Sequence, residues 1–255
     1  MSNQPGQPGQ PPKPSWFITG TDTEIGKTLV SSALLHALST TGLRAAGMKP
    51  IAAGAVLRGA DLHNDDADLL AAAASVALPA ALATPYLLRE AAAPHVAAAL
   101  DHVRIDLQHV HQCFARINEQ ADAVVVEGVG GFRVPLSDAF DTADLAQQLG
   151  LPVILVVGLR LGCLNHALLT VEAITARGLT LAGWVCNVID AGMAHADANV
   201  AALRQRLPAP LLGVVPRLDR PDAATAAAYL DFSRLVHWPV RAVAGTGNLF
   251  DASTS

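Results

Sequence analysis

"FITGTDTEIGKTLVSSALLHAL", from Phe17 to Leu38, decides how the rest of the chain is read. An apolar run ends at Gly20, a polar loop follows, and helical spacing opens at Lys27. A phosphate-binding loop usually has four residues between its first glycine and Gly-Lys-Ser/Thr. Here five residues separate Gly20 from Gly26, and Thr21 holds the regular glycine position. The setting still suits a phosphate cradle, because a helix N-terminus offers unpaired N–H groups and a positive dipole end. Gly26 lets the backbone approach a phosphate without a Cβ. Lys27, expected on the solvent side of the helix start, reaches the terminal phosphates, and the Thr28 hydroxyl suits Mg2+. A glycine turn with a surface lysine would explain the same letters. The extra residue is read as a variant loop.

Working outward, six short apolar runs read as buried parallel strands: "WFITG", "RAAGMKP", "AVVVEG", "PVILVVG", "LAGWVCNV" and "APLLGVVP". Helical spacing lies between them, best at 28–39, 66–76, 103–120, 164–177 and 195–207. This alternation predicts an α/β fold of the P-loop NTPase kind, a mostly parallel sheet with helices on both faces. Right-handed crossovers bring the strand C-terminal ends to one edge, where ligands of open α/β sheets bind. The residues there include Lys49, Glu127, Gly128, Gly130, Asn187 and the Pro216–Asp219 stretch. Glu127 ends an apolar run as a Mg2+-supporting acid would, although a capping carboxylate meeting solvent would look the same. Lys49 precedes Pro50, which disfavours helix before it. Asp66 lies at a helix start, where Asn64 or Asp65 could equally serve as the cap.

The composition sets bounds. The 255 residues suit one large α/β domain, expected over 15–236. Residues 1–14, rich in Pro, Gly and Gln, read as a disordered tail, and 237–255 as a C-terminal extension. A net charge of −5 without any run of basic residues gives nucleic-acid binding no support. The apolar stretch 69–88 is mostly alanine and carries Pro79 and Pro85, so it is not read as a membrane span. Cys113, Cys163 and Cys186 form neither a zinc spacing nor an even disulfide set, which suits a reducing cytoplasm. His109 and His111 fall on different helix faces and read as solvated rather than metal-binding. His95 reads as a core or helix-start residue.

Together "GTDTEIGKT", "AGMKPIAAG", "VVVEGVGG", "PLSD", "LPVILVVG", "LGCLNHALLT", "LAGWVCN" and "PAPLLGVVP" resemble dethiobiotin synthetase, from about Trp16 to the mid-230s. The resemblance implies ATP-dependent ureido-ring closure on 7,8-diaminopelargonate and CO2. One amine captures CO2 as a carbamate, the carbamate attacks the ATP γ-phosphate, and the second amine expels phosphate from the mixed anhydride. It implies a nucleotide site of Thr23, Glu24, Ile25, Gly26, Lys27, Thr28, Asp66, Glu127 and Gly128. Asn187 would contact the adenine, and Pro216, Arg217 and Leu218 would wall the base. Thr28, Asp66 and Glu127 match Mg2+ ligands, and Lys27 and Lys49 the catalytic lysines. Thr23, Lys49, Ala53, Gly130, Leu159 and Asn165 would contact the substrate. The resemblance also implies a homodimer, with 159–165 reaching the partner's diamine site. Ala53 stands where the family commonly has Ser or Thr.

Two other readings fit the sequence less well. Partition-type ATPases carry a second lysine inside the loop, where this chain has Thr-Asp-Thr-Glu. Cobyrinate-type amidases usually carry a fused glutaminase domain, for which this length leaves no room.

Overall fold

The computed structural model describes residues 13–239. Most of the expected N-terminal tail (1–14) and C-terminal extension (237–255) lies outside the described residues.

The chain runs β1 (Ser15–Gly20), α1 (Lys27–Thr40), β2 (Ala45–Met48), β3 (Ile51–Ala52), β4 (Val56–Arg58), β5 (Asp61–His63), α2 (Asp65–Ala73), α3 (Ala80–Ala83), β6 (Tyr86–Leu87), α4 (Pro94–Leu100), α5 (Leu107–Gln120) and β7 (Ala123–Glu127). It continues through α6 (Thr142–Leu149), β8 (Val153–Leu159), α7 (Cys163–Ala176), β9 (Leu181–Val188), α8 (Ala196–Arg206), β10 (Leu211–Val215) and α9 (Ala223–Ala227). The six strands read from the sequence form one parallel sheet in the order β10-β9-β8-β1-β7-β2.

Alternation along each strand builds the two faces. Phe17, Val124 and Val126 pack with α5 and α6 on one side, among Val110, Ile117 and Ala143. Trp16, Ile18 and Val125 face the opposite way, against Val30, Leu34 and Leu38 of α1. Trp238 also joins that layer, its ring centroid 6.1 Å from Trp16 and 5.6 Å from Phe232. The packed unit therefore runs slightly past the expected boundary at 236. Beneath α7 and α8, burial pushes the Cys186 thiol up to about 12, so it packs as a small apolar group.

Several details differ from the sequence reading. Helix α2 ends at Ala73 rather than 76, because the N–H groups of Ser75 and Val76 turn to the carbonyl of Ala45. Helix α5 starts at Leu107 rather than 103, where Asp106 caps the Gln108 N–H. Helix α6, unforeseen, is held by a capping box between Asp141 and Asp144 and stopped by Gly150 at φ 63°. The short pairs β3–β6 and β4–β5 were also unforeseen.

What positions the site is the central strand. From β1 the chain passes to the β7–β2 side and later returns to β8 on its other flank. A crevice therefore opens beyond the C-terminal end of β1, where open α/β sheets bind ligands.

Candidate functional site

The loop from Thr21 to Gly26 crosses that crevice and delivers α1 into it. Glu24 and Gly26 hold φ of 57° and 88°. Gly26 is the α1 N-cap and makes no side-chain cap, so the first helical N–H groups remain open to an anion. Lys27 folds back over the loop, and its Nζ donates to the Asp22 carbonyl at 2.8 Å. At 6% exposure it is buried, not the solvent-side lysine the sequence suggested. Burial, then the neighbouring Lys49 charge, lowers its pKa to about 8.

Strand register assembles the acidic half. Pairing of Met48 with Val126 sets Lys49 level with Glu127, and pairing of Ile18 with Glu127 ties both to the loop strand. Lys49 Nζ donates to Glu127 Oε1 at 2.6 Å, Asp66 Oδ2 at 3.0 Å and the Gly128 carbonyl at 3.3 Å. Burial acts to lower the Lys49 pKa, but the Glu127 and Asp66 carboxylates outweigh it and hold the pKa above its usual value. Burial acts to raise that of Asp66, and Lys49 with the Thr28 hydroxyl brings it down. The ammonium and the Glu127 carboxylate are 3% and 0% exposed, so each depends on the other for compensation. Asn64, not Asp65 or Asp66, caps α2, accepting from the N–H groups of Asp66 and Ala67. The Asp66 side chain is thereby free to face Thr28.

The Thr28 hydroxyl lies 2.8 Å from both Asp66 Oδ1 and Glu127 Oε1 and has one proton to share between them. Glu127 Oε2 is buried with no hydrogen-bond partner. A buried acceptor left unpaired is costly. Two carboxylates, a hydroxyl and this orphaned oxygen form an oxygen donor set that fits Mg2+, which keeps several waters of its own.

A cavity of about 760 Å3 opens from these groups. Thr23 to Thr28 and Lys49 line it, with Ala52 to Gly54 and Asn64 to Asp66. Val129, Gly130, Val134 and Ala91 to Pro94 complete the lining. The alanine-rich wall ahead of α4 was missed because its exposed run has no periodicity. Glu127 and Gly128 sit behind the lining through Lys49.

The chain matches a family model described as an AAA domain over residues 15–225. It is 66% identical over 227 residues to the ATP-dependent dethiobiotin synthetase BioD of Janthinobacterium sp. (strain Marseille), covering 88% of this chain and 96% of that one. The protein of the same name from Ralstonia nicotianae is 60% identical over 220 residues, 86% of this chain and 96% of that one. This chain belongs to the dethiobiotin synthetase family. Among solved structures, MinD complexed with Mg-ADP from Pyrococcus horikoshii shares the fold, with TM-score 0.55, 20% identity, and 87% and 88% of the two chains covered. A ParA family ATPase from Chlorobium tepidum does so with TM-score 0.52, 14% identity, and 81% and 86% covered. At these identities the likeness concerns the fold alone.

The remaining residues expected of a dethiobiotin synthetase lie outside this cavity. Asn187 is buried at the end of β9, donating from Nδ2 to the Ile25 carbonyl at 2.8 Å. Pro216 and Leu218 are half-buried beyond β10, and exposed Arg217 donates to the Ile189 carbonyl at 3.1 Å. Leu159 is buried at the end of β8 and Asn165 is exposed on α7, so neither lines the cavity of its own chain. Between them Leu161 is 89% exposed. Sequence reasoning missed Asp22, whose carbonyl holds Lys27 and whose carboxylate pairs with Arg160. His95 sits at the start of α4 with Nδ1 buried and unpartnered, and it follows Pro94 of the cavity lining without lining the cavity itself. Among the described residues no group of three or more His, Cys, Asp or Glu forms a metal cluster, and no helix is long and apolar enough to cross a membrane.

Proposed function

We propose that this chain closes the ureido ring of dethiobiotin from 7,8-diaminopelargonate, CO2 and ATP. The observation that carries the reading is the joining of Lys27, Thr28, Lys49, Asp66 and Glu127 against a cavity of about 760 Å3. Phosphoryl transfer needs positioning and charge neutralisation more than covalent help. The open N–H groups at Gly26 and the start of α1 would bind the phosphates, with Lys27 along them. Thr28, Asp66 and Glu127 would hold Mg2+, which supplies charge neutralisation at phosphate oxygens when bound. Lys49, now spanning two carboxylates, would steady a carbamate and the oxygens of the phosphoryl group whose phosphorus that carbamate attacks. The carbamate forms as one amine adds to CO2 and loses a proton. Its oxygen then bonds to the γ-phosphorus as ADP leaves, and the second amine displaces phosphate from the resulting anhydride. The aliphatic chain of the diamine would lie along Ala91 to Ala93.

The partition-type alternative is not favoured, because the loop lacks its second lysine and the family is that of a synthetase. The direct test is ATP hydrolysis with Mg2+. Strong stimulation by diamine plus bicarbonate supports the reading, and the same rate without them contradicts it.

Ala53 makes a finer point. It lines the cavity, and its carbonyl accepts from Asn64 Nδ2 at 3.0 Å; the resemblance implies a Ser or Thr hydroxyl at this position. A hydrogen bond of this kind contributes about 0.5–1.5 kcal/mol. Ala53→Ser is therefore expected to tighten diamine binding by at most about tenfold and leave ATP binding unchanged. Calorimetry with each ligand checks this, and a change confined to ATP would show that Ala53 does not face the diamine.

The exposed Leu161, next to residues expected to contact substrate yet absent from their own cavity, supports a homodimer with sites shared across it. Sedimentation at micromolar concentration is expected to show a dimer. A fully active monomer would remove 159–165 from the site. The cytoplasm is the proposed compartment, in keeping with three free thiols.

A further inference from the structure

We infer that Asn187 fastens the phosphate loop, so that the grip on the triphosphate depends on a side chain at the base end of the site. The inference rests on the nucleotide-binding reading above and adds a positioning role to the expected adenine contact. Asn187 is well anchored itself, since its backbone is paired with Gly158 of β8 on one flank and Val215 of β10 on the other. From that fixed point its Nδ2 donates to the carbonyl of Ile25, the loop residue just before Gly26.

Ile25 is the residue through which such a tether can hold the loop down. Its side chain is buried over two glycines. A Cβ added at Gly20 would lie 2.7 Å from Ile25 Cδ1, and one at Gly158 would lie 2.5 Å from Ile25 Cγ2. The side chain thus plugs the loop onto β1 and β8 while the carbonyl is tied to β9. The next residue confirms how closely loop and amide approach, since a Cβ on Gly26 would fall 2.2 Å from Asn187 Nδ2. Gly26 is accordingly required by the amide as well as by its φ of 88°. Because Gly26 is the α1 N-cap and has no side-chain cap, the Ile25 anchor fixes the backbone just ahead of the phosphate-facing N–H groups.

The same bond fixes the amide. Turning it over would set its carbonyl against that of Ile25, so one Nδ2 proton is committed to the loop. Oδ1 remains an acceptor and the second proton a donor, the pair that matches the N6 and N7 edge of adenine.

The test separates the two roles with inorganic triphosphate, which has no base. Asn187→Ala and Asn187→Val both remove the donor without adding charge, and valine also suits a buried strand end. Binding of triphosphate and of ATP is measured by calorimetry on the wild-type chain and on each variant that keeps a cooperative thermal transition. Loss of one buried hydrogen bond is expected to weaken triphosphate binding by about three- to tenfold, and ATP binding by more. Hydrogen exchange at the amides of residues 23–27 is expected to speed up in either variant, while that of β8 is unchanged. Weaker ATP binding with unchanged triphosphate binding and unchanged loop exchange would reduce Asn187 to a base contact and overturn the inference alone. A wild-type chain that binds neither ligand would overturn the nucleotide reading with it.

Discussion

Replacing Lys27 with alanine is expected to lower turnover by about two to three orders of magnitude and leave the nucleotide-free fold intact. The rate loss follows from the position of the ammonium, carried on the first helical residue and bent over the loop to the Asp22 carbonyl. Removing a comparable donor from an oxyanion site costs about 3–4 kcal/mol of transition-state stabilisation. Stability is expected to survive because Lys27 forms no ion pair within 4 Å among the described residues, and burial, then the Lys49 charge, already lowers its pKa to about 8. Its removal takes away a desolvated charge and leaves only a backbone carbonyl at the loop. Steady-state kinetics and thermal unfolding without nucleotide check the two halves. Near-normal turnover would remove Lys27 from the mechanism, and a collapsed unfolding transition would show that it is structural.

The largest stability effect is expected at Glu127. Glu127→Gln leaves the ammonium of Lys49 buried with only the half-exposed Asp66 carboxylate as counter-charge. Breaking a buried pair costs about 3–5 kcal/mol, and about 3 is expected here because Asp66 remains. In a domain of this size that lowers the melting temperature by roughly 6–12 °C. Activity should be lost as well, since the carboxylate is a proposed Mg2+ ligand. The double variant Glu127→Gln, Lys49→Met separates the effects. Removing both charges is expected to restore most of the melting temperature but none of the activity. If the double variant melts as low as the single, the loss comes from packing and not from an uncompensated ammonium.

The sheet was legible because each of its six strands is a buried apolar run, and each run ends at a glycine, a proline or a polar residue. The helices were legible where they are long and amphipathic. Their ends were not, because Asp106 and Asn64 cap through side chains while the apolar spacing runs on past the boundary. Helix α6 could have been found from its signals, Asp141, Asp144 and Gly150, but its eight residues give little periodicity. The two-stranded pairs are too short to leave a pattern.

For the site, the sequence supplied the right residue types at strand ends, and parallel topology brings such ends together. That is why Thr28, Lys49, Asp66 and Glu127 lie together, with Lys27 beside them. Burial was less legible. Nothing in "EIGKT" indicates that Lys27 lies over a carbonyl five residues earlier, or that Ile25 is a plug rather than a loop tip. Those facts depend on the space left by Gly20 and Gly158, which are distant from each other in sequence.

The most direct test is a reaction with 13C-bicarbonate, Mg-ATP and 7,8-diaminopelargonate, read by mass spectrometry of the product and by phosphate release. The predicted result is dethiobiotin carrying 13C in its ureido carbonyl, with one phosphate released for each ring closed. Phosphate release that proceeds without the diamine, with no labelled ring formed, would contradict the account.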